Sequence, residues 1–178
     1  MRIVRSSEYQ NRPDLIKIVN AGWQLTYPLG TKIDLTKDKL IKAARKETKL
    51  QDFGPETDWE EPLEKLLESV NEEAQLNPFG RFITKVRLVG LLKSRLYANY
   101  WFTKNPEILE QETYPVFLIA GLQRTGTTKL QRLLAADPDT RGLKSWEALN
   151  PAPWPQAKAG KEDPRIAEAR KSENGLKF

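Results

Sequence analysis

Residues 117–138, FLIAGLQRTGTTKLQRLLAADP, are the part of the sequence that is most informative about the fold. The run over 115–120 is apolar and lacks polar alternation, which predicts a strand buried on both faces of a parallel sheet. A turn bounded by Gly121 and Gly126 follows. The chain from Thr127 to about Ala136 then has the spacing of an amphipathic helix. A strand, a glycine turn and a helix in this order indicate an α/β fold.

The helix after the turn is predicted to face inward through Leu130, Leu133 and Leu134. A buried parallel strand needs parallel neighbours, and each neighbour is reached by a crossover connection. The sequence contains one convincing strand. We therefore expect the chain to be the front part of a longer protein, in which the sheet is incomplete.

The glycine turn is predicted to bind phosphate. A turn that opens a helix after a strand presents unpaired backbone N–H groups and the positive end of the helix dipole. Gly121 permits the tight turn, Gly126 permits a close approach of backbone and ligand, and Arg124 can direct two N–H donors at phosphate oxygens. Thr127 stands where a nucleotide hydrolase carries its lysine. The loop therefore suits a 5′-phosphate held without an obligatory metal, and a plain glycine turn is the alternative.

Composition limits the remaining chemistry. The 178 residues include neither cysteine nor histidine, which removes disulfides, thiolate chemistry, the usual zinc ligands and the commonest general base. Acid–base chemistry then falls to a carboxylate, a lysine or a tyrosine. No apolar run approaches the roughly 20 residues of a membrane span, and the N terminus lacks the apolar core of a signal peptide. We expect a cytoplasmic protein.

The first hundred residues are predicted to be helical, with the clearest apolar stripe along the fourth helix. That stripe consists of Phe82, Val86, Val89, Leu92, Leu96 and Tyr100, and we interpret it as core. The net charge of +5 is uneven, because 52–73 is mainly acidic and 81–104 is basic. A basic helix can attract nucleic acid or an anionic membrane. An intramolecular match between the two helices is the preferred explanation, and no base-reading motif is present.

Two parts are therefore predicted. Residues 1–112 form a mainly helical N-terminal region. Residues 113–178 form the first strand–phosphate loop–helix part of an α/β domain, with a P-loop-like parallel sheet that carries helices on both faces and is incomplete here.

The segment PVFLIAGLQRTGTT, residues 115–128, resembles the 5′-phosphosulfate loop of sulfotransferases that use 3′-phosphoadenosine 5′-phosphosulfate (PAPS). Residues 133–138 and the pair Trp146-Glu147 narrow the resemblance to the bacterial branch of that family. The similarity extends over roughly residues 40–155. It implies a sulfuryl transfer from PAPS to the hydroxyl of a small-molecule acceptor without a metal. It also implies that the N-terminal helices cap the acceptor pocket.

The resemblance also implies roles for individual residues. Those expected to hold the 5′-phosphosulfate end are Gly121, Arg124, Thr125, Gly126, Thr127 and Thr128. Arg124 is also expected to act in catalysis, by stabilising charge on the oxygen that bridges sulfur and phosphorus. Glu147 is the candidate base, because the tyrosylprotein sulfotransferases use a glutamate soon after the loop helix. A surface or helix-capping glutamate is the alternative.

Three departures from the family pattern accompany the resemblance. Gln123 stands where proline is common, and Lys129 stands where an aliphatic residue is expected. The residues that hold the 3′-phosphate in this family lie on a later strand and helix, which would come after Phe178. Trp146 can either wall the acceptor pocket or belong to the core, and core is preferred.

Two other functions stay open. A P-loop kinase for small molecules would need a loop lysine and a carboxylate at the end of another strand. A non-catalytic fragment or pseudoenzyme would keep only the 5′-phosphate loop. Its exposed sheet edge would then pair with another copy of the chain, or aggregate. The acceptor class also stays open among sterol, phenol, sugar and peptide hydroxyls.

Overall fold

The computed structural model describes residues 14–26, 33–113, 116–122, 124–157 and 160–175. The predicted features at Pro115 and Gln123 lie outside these ranges. The helices are α1 (Asp14–Leu25), α2 (Lys37–Thr48), α3 (Glu60–Glu72), α4 (Pro78–Lys104), α5 (Thr127–Leu134), α6 (Ser145–Leu149) and α7 (Pro164–Gly175), with a short 3-10 helix at Pro106–Glu110. None of the helices in the described ranges is long and apolar enough to cross a membrane.

The chain divides into two compact units, 1–93 and 94–178, and the division falls inside α4. The predicted domains, 1–112 and 113–178, remain a prediction.

Buried apolar side chains and two polar side chains hold the first unit together. Its core includes Leu35, Leu40, Ala44, Phe53, Leu67, Leu88, Val89 and Leu92. The buried Arg81 of α4 donates from Nε to the Ile33 carbonyl at 2.8 Å and from Nη2 to Asn71 Oδ1 at 2.7 Å. Asn71 of α3 in turn donates to the Leu35 carbonyl at 3.0 Å. These bonds tie α3 and α4 to the segment that precedes α2.

The apolar stripe predicted along the fourth helix is confirmed in its middle. Val89, Leu92 and Leu96 are buried, whereas Phe82 and Val86 are more exposed. The ring of Phe82 packs near the indole of Trp23 in α1, with centroids 6.1 Å apart. The stripe is therefore core over about two turns and partly open at its N-terminal end.

Ion pairs link α2 both to the acidic helix α3 and to the basic helix α4. Lys37 at the start of α2 pairs with Glu60 and Glu64 of α3. Lys93 of α4 pairs with Glu47 of α2 at 2.8 Å. Lysines and glutamates on neighbouring helices thus offset part of the uneven charge within the first unit.

The strand predicted over 115–120 is not formed in its described part, 116–120, and the described ranges contain no β-strand. Phe117 and Leu118 are 75% and 89% exposed. The leucines expected to face inward from α5, namely Leu130, Leu133 and Leu134, are likewise exposed. A strand exists only when a neighbour completes its hydrogen bonds, and the described chain supplies no such neighbour. The expected incomplete sheet is therefore not confirmed.

Candidate functional site

Two residues of the predicted phosphate loop have left-handed backbone conformations. Gly126 has a φ of 93° and Arg124 a φ of 65°. Glycine adopts positive φ without a steric penalty, whereas a non-glycine residue in this region is uncommon and often marks a functional site. The two positive φ angles turn the chain sharply before it enters α5.

Gly121 is packed against two threonines of the same loop. A Cβ atom at this position would lie 3.0 Å from Thr127 Cγ2 and 3.1 Å from Thr125 Oγ1. The Thr125 hydroxyl also donates to the Leu122 carbonyl at 2.6 Å. The loop therefore closes on itself, and any side chain at Gly121 would force the threonines to move.

The N terminus of α5 is open to a ligand. Its N-cap is Gly126, which has no side chain that could cap the first turn. The carbonyl of Gly126 accepts from Leu130 N at 3.0 Å, so the N–H groups of 127–129 precede the first intrahelical donor. The side chains of Arg124, Thr125 and Thr128 are exposed beside them.

The charge of this segment favours an anion. Residues 121–134 contain Arg124, Lys129 and Arg132 and include no aspartate or glutamate. Lys129 is exposed in the first turn of α5. Its ammonium group adds to the positive end of the helix dipole. The loop and α5 together form a basic surface with several hydrogen-bond donors.

Glu147 lies in the first turn of α6 and has two partners. Its Oε2 accepts from the backbone N–H of Lys144 at 2.9 Å, and its Oε1 pairs with the Arg141 guanidinium. The Lys144 N–H and then the Arg141 charge hold the pKa of this carboxyl below its usual range. Glu147 is therefore ionised at neutral pH and caps α6, as the helix-capping alternative expects. Its role as a base stays a prediction.

Trp146, the neighbour of Glu147, packs against α7. The Cζ atom of the buried Arg165 lies 4.7 Å from the centroid of the indole ring. Arg165 also forms an ion pair with Asp163 at 2.7 Å. This contact with Arg165 is consistent with the interpretation of Trp146 as a core residue. The buried position of Arg165 could not be predicted, because a lone arginine in a polar helix is usually solvated.

The sequence profile described as Sulfotransferase family matches residues 115–177. Among solved structures, sulfotransferase STF1 from Mycobacterium tuberculosis superposes with a TM-score of 0.68 and is 33% identical over 80% of this chain. The profile match and the structural neighbours both support the sulfotransferase family. A second structure, sulfotransferase STF9 from Mycobacterium avium, gives a TM-score of 0.66 at 28% identity over 81% of this chain. No curated protein matches the sequence.

The chain spans 40% of the length of the first structure and 37% of the second. The partial coverage agrees with the expectation that the chain resembles the front part of a longer protein. The profile match contains the whole loop from Gly121 to Thr128 as well as Glu147. The P-loop-like fold expected from the sequence is supported in part. The structural relatives are sulfotransferases, but the described residues form helices and no strand.

Proposed function

We propose that this chain carries the donor loop of an enzyme that transfers a sulfuryl group from PAPS to the hydroxyl of an acceptor. The observation that supports this most directly is the loop before α5. It combines a left-handed Arg124, a side-chain-free Gly126 and an open helix N terminus. The loop also lies inside the segment that matches the sulfotransferase profile.

The residues of the loop fit the 5′-phosphosulfate end of PAPS. A side chain at Gly121 would press against Thr125 and Thr127. Because glycine has none, the two threonine hydroxyls and the backbone amides of the loop can remain close to one another. Arg124 supplies a planar guanidinium that can bond two anionic oxygens at once. Thr128 adds a further hydroxyl donor at the helix start. A dianionic group would therefore meet donors on several sides.

PAPS supplies the sulfuryl group, which passes to the acceptor oxygen as the bond between sulfur and the bridging oxygen breaks. Negative charge grows on that bridging oxygen. The Arg124 guanidinium and the amides of the α5 N terminus would stabilise this charge. The acceptor hydroxyl loses its proton, and we assign the proton to the Glu147 carboxylate. The hydrogen bond from Lys144 N–H and the Arg141 pair would both have to loosen for Glu147 to accept it, because together they keep the pKa of this carboxyl low.

A second candidate is a non-catalytic chain that keeps only the 5′-phosphate loop. Its support is the partial coverage of both structural relatives. A chain of this kind would bind the 5′-phosphate end of a nucleotide weakly and transfer nothing. The small-molecule kinase has no support of this kind in the described residues.

The test is a calorimetric titration with 3′-phosphoadenosine 5′-phosphate, the product left after sulfuryl transfer. We expect binding that Arg124→Ala weakens by about 1.5–3 kcal/mol, the scale of a hydrogen bond to a charged group. Arg132→Ala is the matched control, since Arg132 lies in the last turn of α5 and not in the loop. Equal losses of binding free energy in the two variants would show that the loss follows the change in net charge and not the position of Arg124 in the loop.

A parallel titration with ATP and Mg²⁺ separates the remaining candidates. Tighter binding of ATP–Mg²⁺ would favour the kinase. Binding of the phosphoadenosine ligand, without transfer of the sulfuryl group from PAPS to 2-naphthol, would favour the non-catalytic chain. No binding by a folded sample would overturn the proposed loop function.

A further inference from the structure

The outward side of α4 in the first unit carries large apolar side chains. Between Phe82 and Leu91 the exposed residues of the helix are Phe82, Ile83, Val86, Arg87 and Leu91. The four apolar members of this set are between 42% and 59% exposed. The other side of the helix supplies core residues, namely Leu88, Val89 and Leu92. The helix is therefore apolar on two sides, and the core of the first unit covers one of them.

Three of the exposed residues and a glycine form a stripe along this outward side. Ile83 is followed by Val86 and Arg87 in the next turn and by Gly90 in the turn after that, so all four lie on one face of the helix. We call these four residues the α4 stripe. A Cβ atom added to Gly90 would meet no other atom of the described residues within 4 Å. The stripe is therefore open to a partner along its length.

Helix α1 adds apolar surface beside the α4 stripe. The rings of Trp23 and Phe82 have centroids 6.1 Å apart, and Asn20 Oδ1 accepts from Phe79 N at 2.9 Å. These contacts hold α1 against the start of α4. Val19, one turn before Trp23, is 38% exposed. Tryptophan and phenylalanine are typical of helices that lie where water meets lipid, so the edge between α1 and α4 suits such an interface.

The charges of this part of α4 are all positive. Residues 74–93 contain no aspartate or glutamate, and their cations are Arg81, Lys85, Arg87 and Lys93. Lys93 pairs with Glu47, and the buried Arg81 donates to a carbonyl and an amide oxygen. Within the described ranges neither Lys85 nor Arg87 has a carboxylate partner. The match between acidic and basic helices therefore leaves these two charges uncompensated.

An anionic lipid surface complements both properties of this side of α4. Its headgroups offer anionic oxygens to Lys85 and Arg87, and the boundary with the acyl chains takes up exposed apolar side chains. A nucleic acid would also meet the two cations. It would leave Ile83 and Val86 in water, however, and their burial supplies hydrophobic free energy only where the partner is apolar. The combination of the two properties on one helix therefore favours lipid.

We propose that α4 docks the first unit on an anionic bilayer, with the α4 stripe lying in the plane of the headgroups. Ile83 and Val86 would enter the boundary of the acyl chains, and Arg87 would bind a lipid phosphate. The helix would lie on the bilayer and not across it. This docking does not depend on the sulfuryl transfer proposed above.

The test is co-sedimentation of the full chain with vesicles of phosphatidylcholine and phosphatidylserine. Vesicles of phosphatidylcholine alone are the comparison. We expect saturable binding to the mixed vesicles and at least about tenfold weaker binding to phosphatidylcholine, because two cations then lose their partners. Binding to the mixed vesicles should also weaken at high salt, since salt screens the attraction between exposed charges.

Val86→Glu places a negative charge in the middle of the α4 stripe. It should weaken binding to the mixed vesicles at least about tenfold. The replaced side chain is 55% exposed, so the circular dichroism spectrum should stay that of the parent chain. Leu130→Glu is the matched control, because Leu130 is an exposed leucine of α5 that follows Lys129. The control should leave vesicle binding unchanged.

A second pair of variants tests the charge. Arg87→Glu should weaken binding several-fold more than Lys42→Glu, which reverses the charge of an exposed lysine in α2. Both variants change the net charge by the same amount. Absence of vesicle binding by a folded chain, equal binding to the two kinds of vesicle, or equal losses within either pair would overturn the proposal. So would tighter binding of duplex DNA than of the mixed vesicles, or a dimer in sedimentation equilibrium that Val86→Glu dissociates, since the stripe would then contact nucleic acid or another copy.

Discussion

The guanidinium of Arg165 lies over the indole ring of Trp146, with its Cζ atom 4.7 Å from the ring centroid. The same guanidinium pairs with Asp163 at 2.7 Å and donates to the carbonyls of Asn150 and Pro151 at 2.7 and 3.1 Å. One buried side chain therefore joins α6, the segment after it and the start of α7. Arginine can make these contacts together because its five N–H donors lie in one plane.

Arg165→Ala should destabilise the second unit by about 2 kcal/mol, because it leaves the half-buried Asp163 carboxylate and two carbonyls without their donor. The measurement is urea unfolding followed by circular dichroism. Arg170→Ala is the control, since Arg170 is an exposed arginine of the same helix that pairs with Glu162. Its loss should be below about 1 kcal/mol. Similar losses in the two variants would contradict the joining role of Arg165.

Stability should fall in acid because of two carboxylates in the second unit. The hydrogen bond from Arg165 lowers the pKa of Asp163, and the Lys144 N–H and Arg141 lower the pKa of Glu147. A folded-state pKa below the unfolded value stabilises the protein above the unfolded value, which is about 4 for these groups. That contribution is lost as the pH falls through the folded value. Neither group should change the stability between pH 7 and pH 5.

The measurement is urea unfolding at a series of pH values from 7 to 2.5. Asp163→Asn and Glu147→Gln should each flatten the decline below pH 4, and the double variant should flatten it most. If the free energy of unfolding of the double variant falls with pH as steeply as that of the parent chain, other groups cause the acid sensitivity.

The helices were the part of the fold that sequence could predict. The hydrogen bonds of a helix join residues four apart, so the spacing of Val89, Leu92 and Leu96 was sufficient to place α4. The loop before α5 was predictable for the same reason, since Gly121 and Gly126 act within a few residues of each other. The left-handed φ of Arg124 was not, because the sequence gives no reason to expect arginine in that conformation.

Features that depend on distant partners could not be predicted. The apolar run at 116–120 has the composition of a buried strand, but composition does not supply the neighbour that a strand needs. The hydrogen bond from the Trp101 indole N–H to the Pro153 carbonyl could not be foreseen, because the two residues are 52 apart in sequence. The capping contacts of Glu147 were foreseen only as an alternative, since its pair with Arg141 depends on how the chain turns before α6.

Gly121→Ala should weaken the binding of 3′-phosphoadenosine 5′-phosphate by about tenfold, on the order of 1.4 kcal/mol. The added Cβ would come within 3.0–3.1 Å of Thr127 Cγ2 and Thr125 Oγ1, so both threonine side chains must shift from their positions in the loop to accept it. Calorimetry measures the change. Gly22→Ala in α1 is the control, because no atom lies within 4 Å of the added Cβ. The control should keep the affinity and stabilise the helix by up to about 1 kcal/mol.

The last prediction concerns three exposed apolar side chains, Phe117, Leu118 and Leu133. A large exposed apolar surface is uncommon on a monomer and usually marks a contact, so we expect the chain to self-associate through these side chains in sedimentation equilibrium. Leu133→Glu should shift the mass towards the monomer value of 20.4 kDa without unfolding the chain, because the side chain it replaces is 61% exposed. Leu109→Glu changes a leucine that is 68% exposed in the 3-10 helix and should leave the association intact. A parent chain that stays monomeric, or equal effects of the two variants, would show that this surface is not the contact.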